Sequence, residues 1–255
     1  MTGAAVPRLS AVVITKNEAA NLPRCLESVR GVADEIVVVD SGSTDETEAI
    51  ARRFTDRVLT QAWLGYGPQK QFAVEQATSP WVFSIDADEE VSPELAAELS
   101  DLDDRVAGYF VPRRVRYMGR WLEHGVWNPD FVLRAFRRDR GRFTRDRVHE
   151  SVRVEGPTRR LHGVLRHYSF RDLAHHVQKM NEMTSLAAEQ MAERGRSAGW
   201  AHLSLVPAWE FVRAYLLKRG FADGLPGLAV AALHAHYVFL KHAKLHERER
   251  TGKRS

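Results

Sequence analysis

Apolar positions in the first hundred residues alternate between two kinds of pattern. "SAVVIT" (10–15), "EIVVV" (35–39) and "WVFSI" (81–85) are short, nearly unbroken runs, and "RVLTQAW" (57–63) is a weaker one. Such runs suit strands covered on both faces. Between them the spacing becomes helical. Leu22, Leu26 and Val29 share a face in 21–30, and Phe72, Ala73, Gln76 and Ala77 do so in 68–78. Ser43 and Glu46 have capping-box spacing, which predicts a helix over 43–53 carrying Ile50 toward Phe54. Ser92 followed by Pro93 predicts another helix over 92–99. Strands alternating with helices imply right-handed βαβ units and a parallel sheet.

Beyond about residue 105 the pattern changes. "GYFVPRRVRYMG" and "FVLRAFRR" read as strands without a crossover helix between them, so mixed or antiparallel pairing is expected. From 171 onward the chain reads as helical. Leu173, Val177, Met180, Thr184, Ala187 and Met191 recur at three- to four-residue steps, Pro207 interrupts 200–220, and 224–250 is apolar first and basic last.

Composition adds limits. The 255 residues are 44% hydrophobic and 27% charged, as in globular proteins with a sizeable core. The single cysteine, Cys25, excludes an internal disulfide framework and a four-cysteine zinc site. "MTGAAVPRLS" has no charged start followed by an apolar stretch, so no signal peptide is expected. No uncharged apolar run reaches the roughly 18 to 20 residues of a membrane span. These features suggest a cytoplasmic protein. The net charge of +4 is unevenly placed, because residues 113–147 hold eleven Arg against Glu123, Asp130, Asp139 and Asp146. Such a block attracts anions.

The acids sit at strand ends. Glu18 follows the first run, Asp40 ends the second, and Asp86 and Asp88 end "WVFSIDAD". Asp often follows a strand as a turn or cap residue. Three such positions at one edge of a parallel sheet instead define a crevice where ligands bind. Asp-x-Asp suits a hard cation, Mg²⁺ or Mn²⁺, that also binds a diphosphate. Glu89 and Glu90 are expected to face solvent. No G-x-G-x-x-G follows a strand, which disfavours a dehydrogenase. "TKNEAANLPR" lacks the Gly-rich loop of a nucleotidyltransferase.

Taken together, "VVITKNEAANLPRCLESV", "EIVVVDSGSTDET", "YGPQKQFA" and "FSIDADEE" resemble the N-terminal half of family 2 glycosyltransferases of the GT-A fold. Downstream, "VPRRVRYMGRWLEHG", "WNPDFVLRAFRR", "VHESV", "HYSF" and "LLKRGFADGLPGL" resemble the branch containing lipopolysaccharide-core β-glucosyltransferases. The resemblance spans roughly 8–245. It implies an α/β fold with a Rossmann-like, mostly parallel mixed sheet flanked by helices. A GT-A catalytic domain would cover 1–170, its nucleotide-sugar half about 8–100 and its acceptor half about 101–170. A helical, membrane-associating region would cover 171–255.

The resemblance also implies roles. Thr15, Asn17 and Glu18 would line the nucleoside pocket. Asp40 would contact the uracil or ribose, with Ser41 and Ser43 beside it. Lys70 would meet the donor base or phosphate, Asp86 the ribose and metal, and Asp88 the metal directly. Inverting transfer needs a carboxylate base. Family members usually carry a Glu-Asp pair here, whereas this chain has His149-Glu150, so Glu150 is the first candidate and Asp130 the second. Arg137 and Arg138 are expected nearest Glu150. The implied activity is metal-dependent hexosyl transfer, glucosyl first, from a nucleotide diphosphate donor (UDP-sugar favoured) to a cell-envelope glycan or lipid-linked acceptor such as lipopolysaccharide core. The alternatives are a polyprenyl-phosphate glycosyltransferase and a non-catalytic basic module that binds membrane or nucleic acid. Aligned carboxylates would repel a nucleic acid, which is not expected as a partner. An anionic surface on the cytoplasmic face of the inner membrane is, because aromatics and cations mix in 200–246.

Overall fold

The computed structural model of the chain describes residues 8–144 and 151–251. Its strands are β1 (Leu9–Thr15), β2 (Glu35–Asp40), β3 (Val58–Thr60), β4 (Trp81–Asp86), β5 (Glu89–Val91), β6 (Gly108–Tyr117), β7 (Arg120–Trp121), β8 (Asp130–Arg137), β9 (Gly141–Phe143), β10 (Val152–Val154), β11 (Thr158–Arg160) and β12 (Leu165–His167). Its helices are α1 (Leu22–Arg30), α2 (Thr47–Ala51), α3 (Tyr66–Gln76), α4 (Pro93–Leu99), α5 (Leu173–Glu193), α6 (Trp200–Leu203), α7 (Leu205–Val212) and α8 (Gly224–Thr251). A π-helical turn, Arg213–Leu217, and a 3-10 turn, Gly220–Asp223, link the last two. The chain divides into two compact units, Met1–Arg113 with Asp130–Tyr168, and Arg114–Pro129 with Ser169–Ser255.

In the first unit the sheet order is β3-β2-β1-β4-β8-β6-β12-β5, with β11 also on β6. The first four strands are parallel, as their continuous apolar runs require, because both faces are covered. From β8 onward the pairs β4–β8, β6–β8 and β12–β5 are antiparallel. The register fixes the functional edge. Thr15 pairs with Asp40, and Ile14 with Asp86, so these strands end side by side. One layer of the core contains Val13, Leu22, Leu26, Val38, Phe83, Ile85 and Leu95; the other contains Val12, Val37, Val39, Ala73, Val82 and Phe136. α1 buries Leu22, Cys25, Leu26 and Val29. α4 starts at its expected cap, with Ser92 Oγ accepting from the Leu95 N–H at 3.2 Å.

One expected helix start is wrong. α2 begins at Thr47, not Ser43, and Glu46 makes no side-chain cap. The Ser43 hydroxyl donates instead to Asp40 Oδ1, and Asp45 Oδ1 accepts the Thr47 N–H at 3.0 Å. A local turn therefore took the side chain that the capping box needed.

The second unit is mostly helical. β7 forms a short hairpin with the end of β6, and α5 and α7 pack on α8. α5 buries His176, Met180, Thr184 and Ala188, whereas Leu173 and Val177 are exposed, so its inner face is rotated from the expected one. His176 is the reason. Its Nδ1 lies 2.8 Å from the Tyr117 hydroxyl, and its ring stacks on Phe170 with centroids 4.1 Å apart. Burial pushes its pKa down to about 4, so it packs as a neutral ring. The apolar residues Pro226, Gly227, Val230, Ala231 and Val238 of α8 are buried.

Candidate functional site

The loops after β1 and β2 face each other at the C-terminal sheet edge. Asn17 has the left-handed backbone (φ 55°) that asparagine tolerates. Its N–H donates to Ser43 Oγ at 2.9 Å, and its Oδ1 accepts the Thr44 N–H at 2.8 Å. The Glu18 N–H donates to Thr47 Oγ1 at 2.8 Å, and Glu18 Oε2 accepts from Asn21 Nδ2 at 2.9 Å. Asp40 is buried and turned back on its own loop. Its Oδ2 accepts the Gly42 and Ser43 N–H groups at 2.9 and 2.8 Å. Gly42 takes φ +79°, a conformation glycine adopts without a Cβ penalty. Ser41 is buried, and its hydroxyl accepts from Gln69 Nε2 at 3.1 Å. The Thr15 hydroxyl is buried with no hydrogen-bond partner among the described residues. These residues converge on one edge, but the carboxylate of Asp40 is an internal brace of that edge.

The acidic run 86–90 is neutralised by the chain itself. Asp86 Oδ1 lies 2.7 Å from Lys70 Nζ, and its Oδ2 lies 2.6 Å from Arg134 Nη2. Burial raises its pKa, but Arg134 and Lys70 outweigh burial and hold it well below the usual carboxylate range. Lys70 is itself buried on α3. Glu89, expected in solvent, has no exposure at all. Its Oε2 accepts the Asp86 N–H at 3.0 Å, and its Oε1 meets Arg134 at 2.8 Å and Arg113 at 3.3 Å. Glu90, also expected in solvent, accepts from the Tyr168 hydroxyl at 2.6 Å and pairs with Arg166 at 3.0 Å. A buried carboxylate persists only with such compensation.

Asp88 meets a histidine from β12. Its Oδ2 is 3.3 Å from His167 Nε2, and its carbonyl accepts the Tyr168 N–H at 2.9 Å. Two ligands at right angles on one ion at about 2.1 Å lie about 3.0 Å apart, so this oxygen and nitrogen suit one coordination sphere. Both oxygens of Asp86 already carry a cation. No group of three or more His, Cys, Asp or Glu among the described residues is placed to hold a metal alone.

Asp130 opens β8 and is ion-paired with Arg113 at 2.7 Å. Glu150 and His149 lie outside the described residues. Arg137 and Arg138 lie away from the carboxylate edge. Arg137 is opposite Trp81, at the start of β4, and Arg138 donates to the Ser79 carbonyl at 3.0 Å. Strand direction explains this, since β8 runs antiparallel to β4 and carries its last residues to the opposite edge. Sequence reading missed His167, Arg113 and Arg134; the motif "HYSF" held the first without showing its partner.

The fold is of the GT-A type, an α/β sheet with acidic residues at its C-terminal edge. Residues 10–160 match the model of glycosyl transferase family 2. The chain is 37% identical over 94% of its length, and 92% of the relative's, to lipopolysaccharide core biosynthesis glycosyltransferase LpsC of Rhizobium meliloti. It is 32% identical, over 94% of its length and 87% of the relative's, to an uncharacterized glycosyltransferase of Rickettsia typhi. Among solved structures, mannosyltransferase PcManGT of Pyrobaculum calidifontis, in complex with GDP-Man and Mn²⁺, is similar at TM-score 0.56 and 18% identity, covering 94% of this chain and 87% of that one. The chain belongs to the family 2 glycosyltransferases. Membership sets aside the alternative of a basic module without catalysis.

Proposed function

We propose that this glycosyltransferase moves a hexosyl group, glucosyl first, from a nucleotide diphosphate sugar to a cell-envelope glycan of the lipopolysaccharide-core class, with inversion. The observation that carries this reading is the register that ends β1, β2 and β4 together, with Asp88 and His167 just beyond β4. The name of the Rhizobium meliloti relative supports the acceptor class.

In this reading Thr15, Asn17, Glu18, Ser41 and Ser43 wall the nucleoside pocket, and Asp40 holds that wall in shape. Lys70, fixed on Asp86, presents positive charge toward the donor phosphates. Asp88 and His167 would hold Mg²⁺ or Mn²⁺, which when bound offsets the charge of the departing diphosphate. The metal role expected of Asp86 thereby passes to His167, because Asp86 is committed to Lys70 and Arg134. Glu150 takes the proton from the acceptor hydroxyl; Asp130 is the second candidate, with one oxygen already held by Arg113. The enzyme would work at the cytoplasmic face of the membrane carrying the acceptor.

The test is a donor screen read by product mass, run with UDP-, GDP- and CDP-sugars and a core-oligosaccharide acceptor. Hexose addition that needs divalent metal and is lost in Asp88→Ala supports the reading. Failure of every nucleotide sugar to give product rejects it.

A further inference from the structure

One surface of the second unit holds none of the residues assigned above to sugar transfer. Segment 200–221, "WAHLSLVPAWEFVRAYLLKRGF", holds one acid, Glu210, against Arg213, Lys218 and Arg219. Glu210 is neutralised within the fold, by Arg213 Nε at 2.9 Å and His234 Nε2 at 3.2 Å. Leu205, Trp209, Val212 and Leu216 follow one another at helical spacing along α7 and into the π-helical turn. Their exposures are 59, 54, 37 and 53%. Trp200, Leu217, Phe221 and Leu225 are exposed as well. Residues on the other side are occupied. Pro207 and Ala214 are buried, and Phe211 stacks on Tyr215 with centroids 5.6 Å apart. Pro226, Gly227, Val230, Ala231 and Val238 of α8 are buried and belong to the core, whereas Leu228 and Phe239 are exposed.

A stripe of Leu, Val and Trp this exposed, edged by cations, marks an interaction surface. Among the described residues no helix is long and apolar enough to cross a membrane. A second copy of the same face would bring Lys218 and Arg219 toward like charges. An anionic bilayer offers the complement, with acyl boundary for Leu205, Trp209 and Leu216 and headgroup phosphates for the cations. We infer that this stripe seats the protein on an anionic membrane, lying in the interface along α7 and the π-helical turn. The inference goes beyond the transfer reading and names the residues that touch lipid.

The experiment is co-sedimentation of the full chain with phosphatidylcholine vesicles, with and without phosphatidylglycerol. Donor and acceptor are absent, so the result is independent of the transfer reading. Binding is expected with phosphatidylglycerol and is weakened by high salt. Leu205→Glu and Leu216→Glu are each expected to lower the partition coefficient about tenfold or more without shifting the thermal melt, since both side chains are already in solvent. Lys218→Glu lowers it on phosphatidylglycerol only. Absence of wild-type binding overturns the inference, as does unchanged binding in both leucine variants. So does a wild-type dimer, seen by sedimentation velocity, that Leu216→Glu dissolves while vesicles stay unbound.

Discussion

Arg113 holds one carboxylate oxygen of Asp130 twice, from Nη2 at 2.7 Å and from Nε at 2.8 Å. Its Nη1 reaches Glu89 at 3.3 Å. The second candidate base is therefore an oriented member of a charge network. With Glu150 as the base, Glu150→Gln is expected to lower kcat about 100-fold or more and leave donor affinity unchanged. Asp130→Asn should lower kcat by less than about tenfold, since general-base loss usually exceeds that. Steady-state product formation separates them, and a wild-type rate in Glu150→Gln moves the base to Asp130.

Metal binding should depend on two side chains from distant parts of the sequence. Asp88→Ala and His167→Ala are each expected to weaken Mn²⁺ binding to the protein–UDP complex by about 10- to 100-fold. Calorimetric titration reads this without turnover. Unchanged affinity in His167→Ala removes the histidine from the ligand set.

Arg134 neutralises two acids at once. Arg134→Met would strand the buried Glu89 beside Asp86, at a cost of about 3–5 kcal/mol. Urea unfolding measures it. Arg134→Lys should recover part of the loss, because a single ammonium cannot reproduce the guanidinium's planar set of donors. A melt equal to wild type in Arg134→Met would mean that Lys70 and Arg113 suffice.

The same network sets an acid limit. The folded pKa of Asp86 lies well below its ordinary 3.8. A depressed carboxylate contributes stability that is present above the unfolded value and lost as pH falls from there through the folded one. Stability should therefore decline below about pH 4 as this contribution fades. Asp86→Asn should flatten that decline, as read by urea midpoints between neutral pH and pH 3. An unchanged acid slope in the variant would assign the effect to other carboxylates.

At the start of α8, Gly227 lies against the 3-10 turn. A Cβ there would collide with the Gly220 carbonyl and crowd Asp223. Gly227→Ala is expected to cost about 1–3 kcal/mol through overpacking. Thermal unfolding checks this; no change would mean that the turn yields freely.

What could be read from the chain alone followed the range of the interactions. β1, β2 and β4 were legible because an unbroken apolar run is a local signal, and so was the row of acids at their ends. Glu89 was misread because its cations, Arg113 and Arg134, come from 24 and 45 residues away. His167 escaped notice for the same reason, meeting Asp88 across 79 residues. The face of α5 was misplaced because apolar periodicity cannot count a histidine that burial keeps neutral. Ser43 has Asp40 three residues before it and Glu46 three residues after it, and capping-box spacing registers only the second, whereas its hydroxyl bonds the first.

The loops after β1 and β2 are stitched together. Asn17 bonds Ser43 and Thr44, Glu18 bonds Thr47, and Ala19 bonds Asp45. They therefore form one interlocked cassette. If these loops wall the nucleoside pocket as proposed, retargeting the enzyme to a different nucleobase would mean grafting residues 15–19 and 40–47 as a pair, since a foreign segment in either alone would meet mismatched stitches in the other.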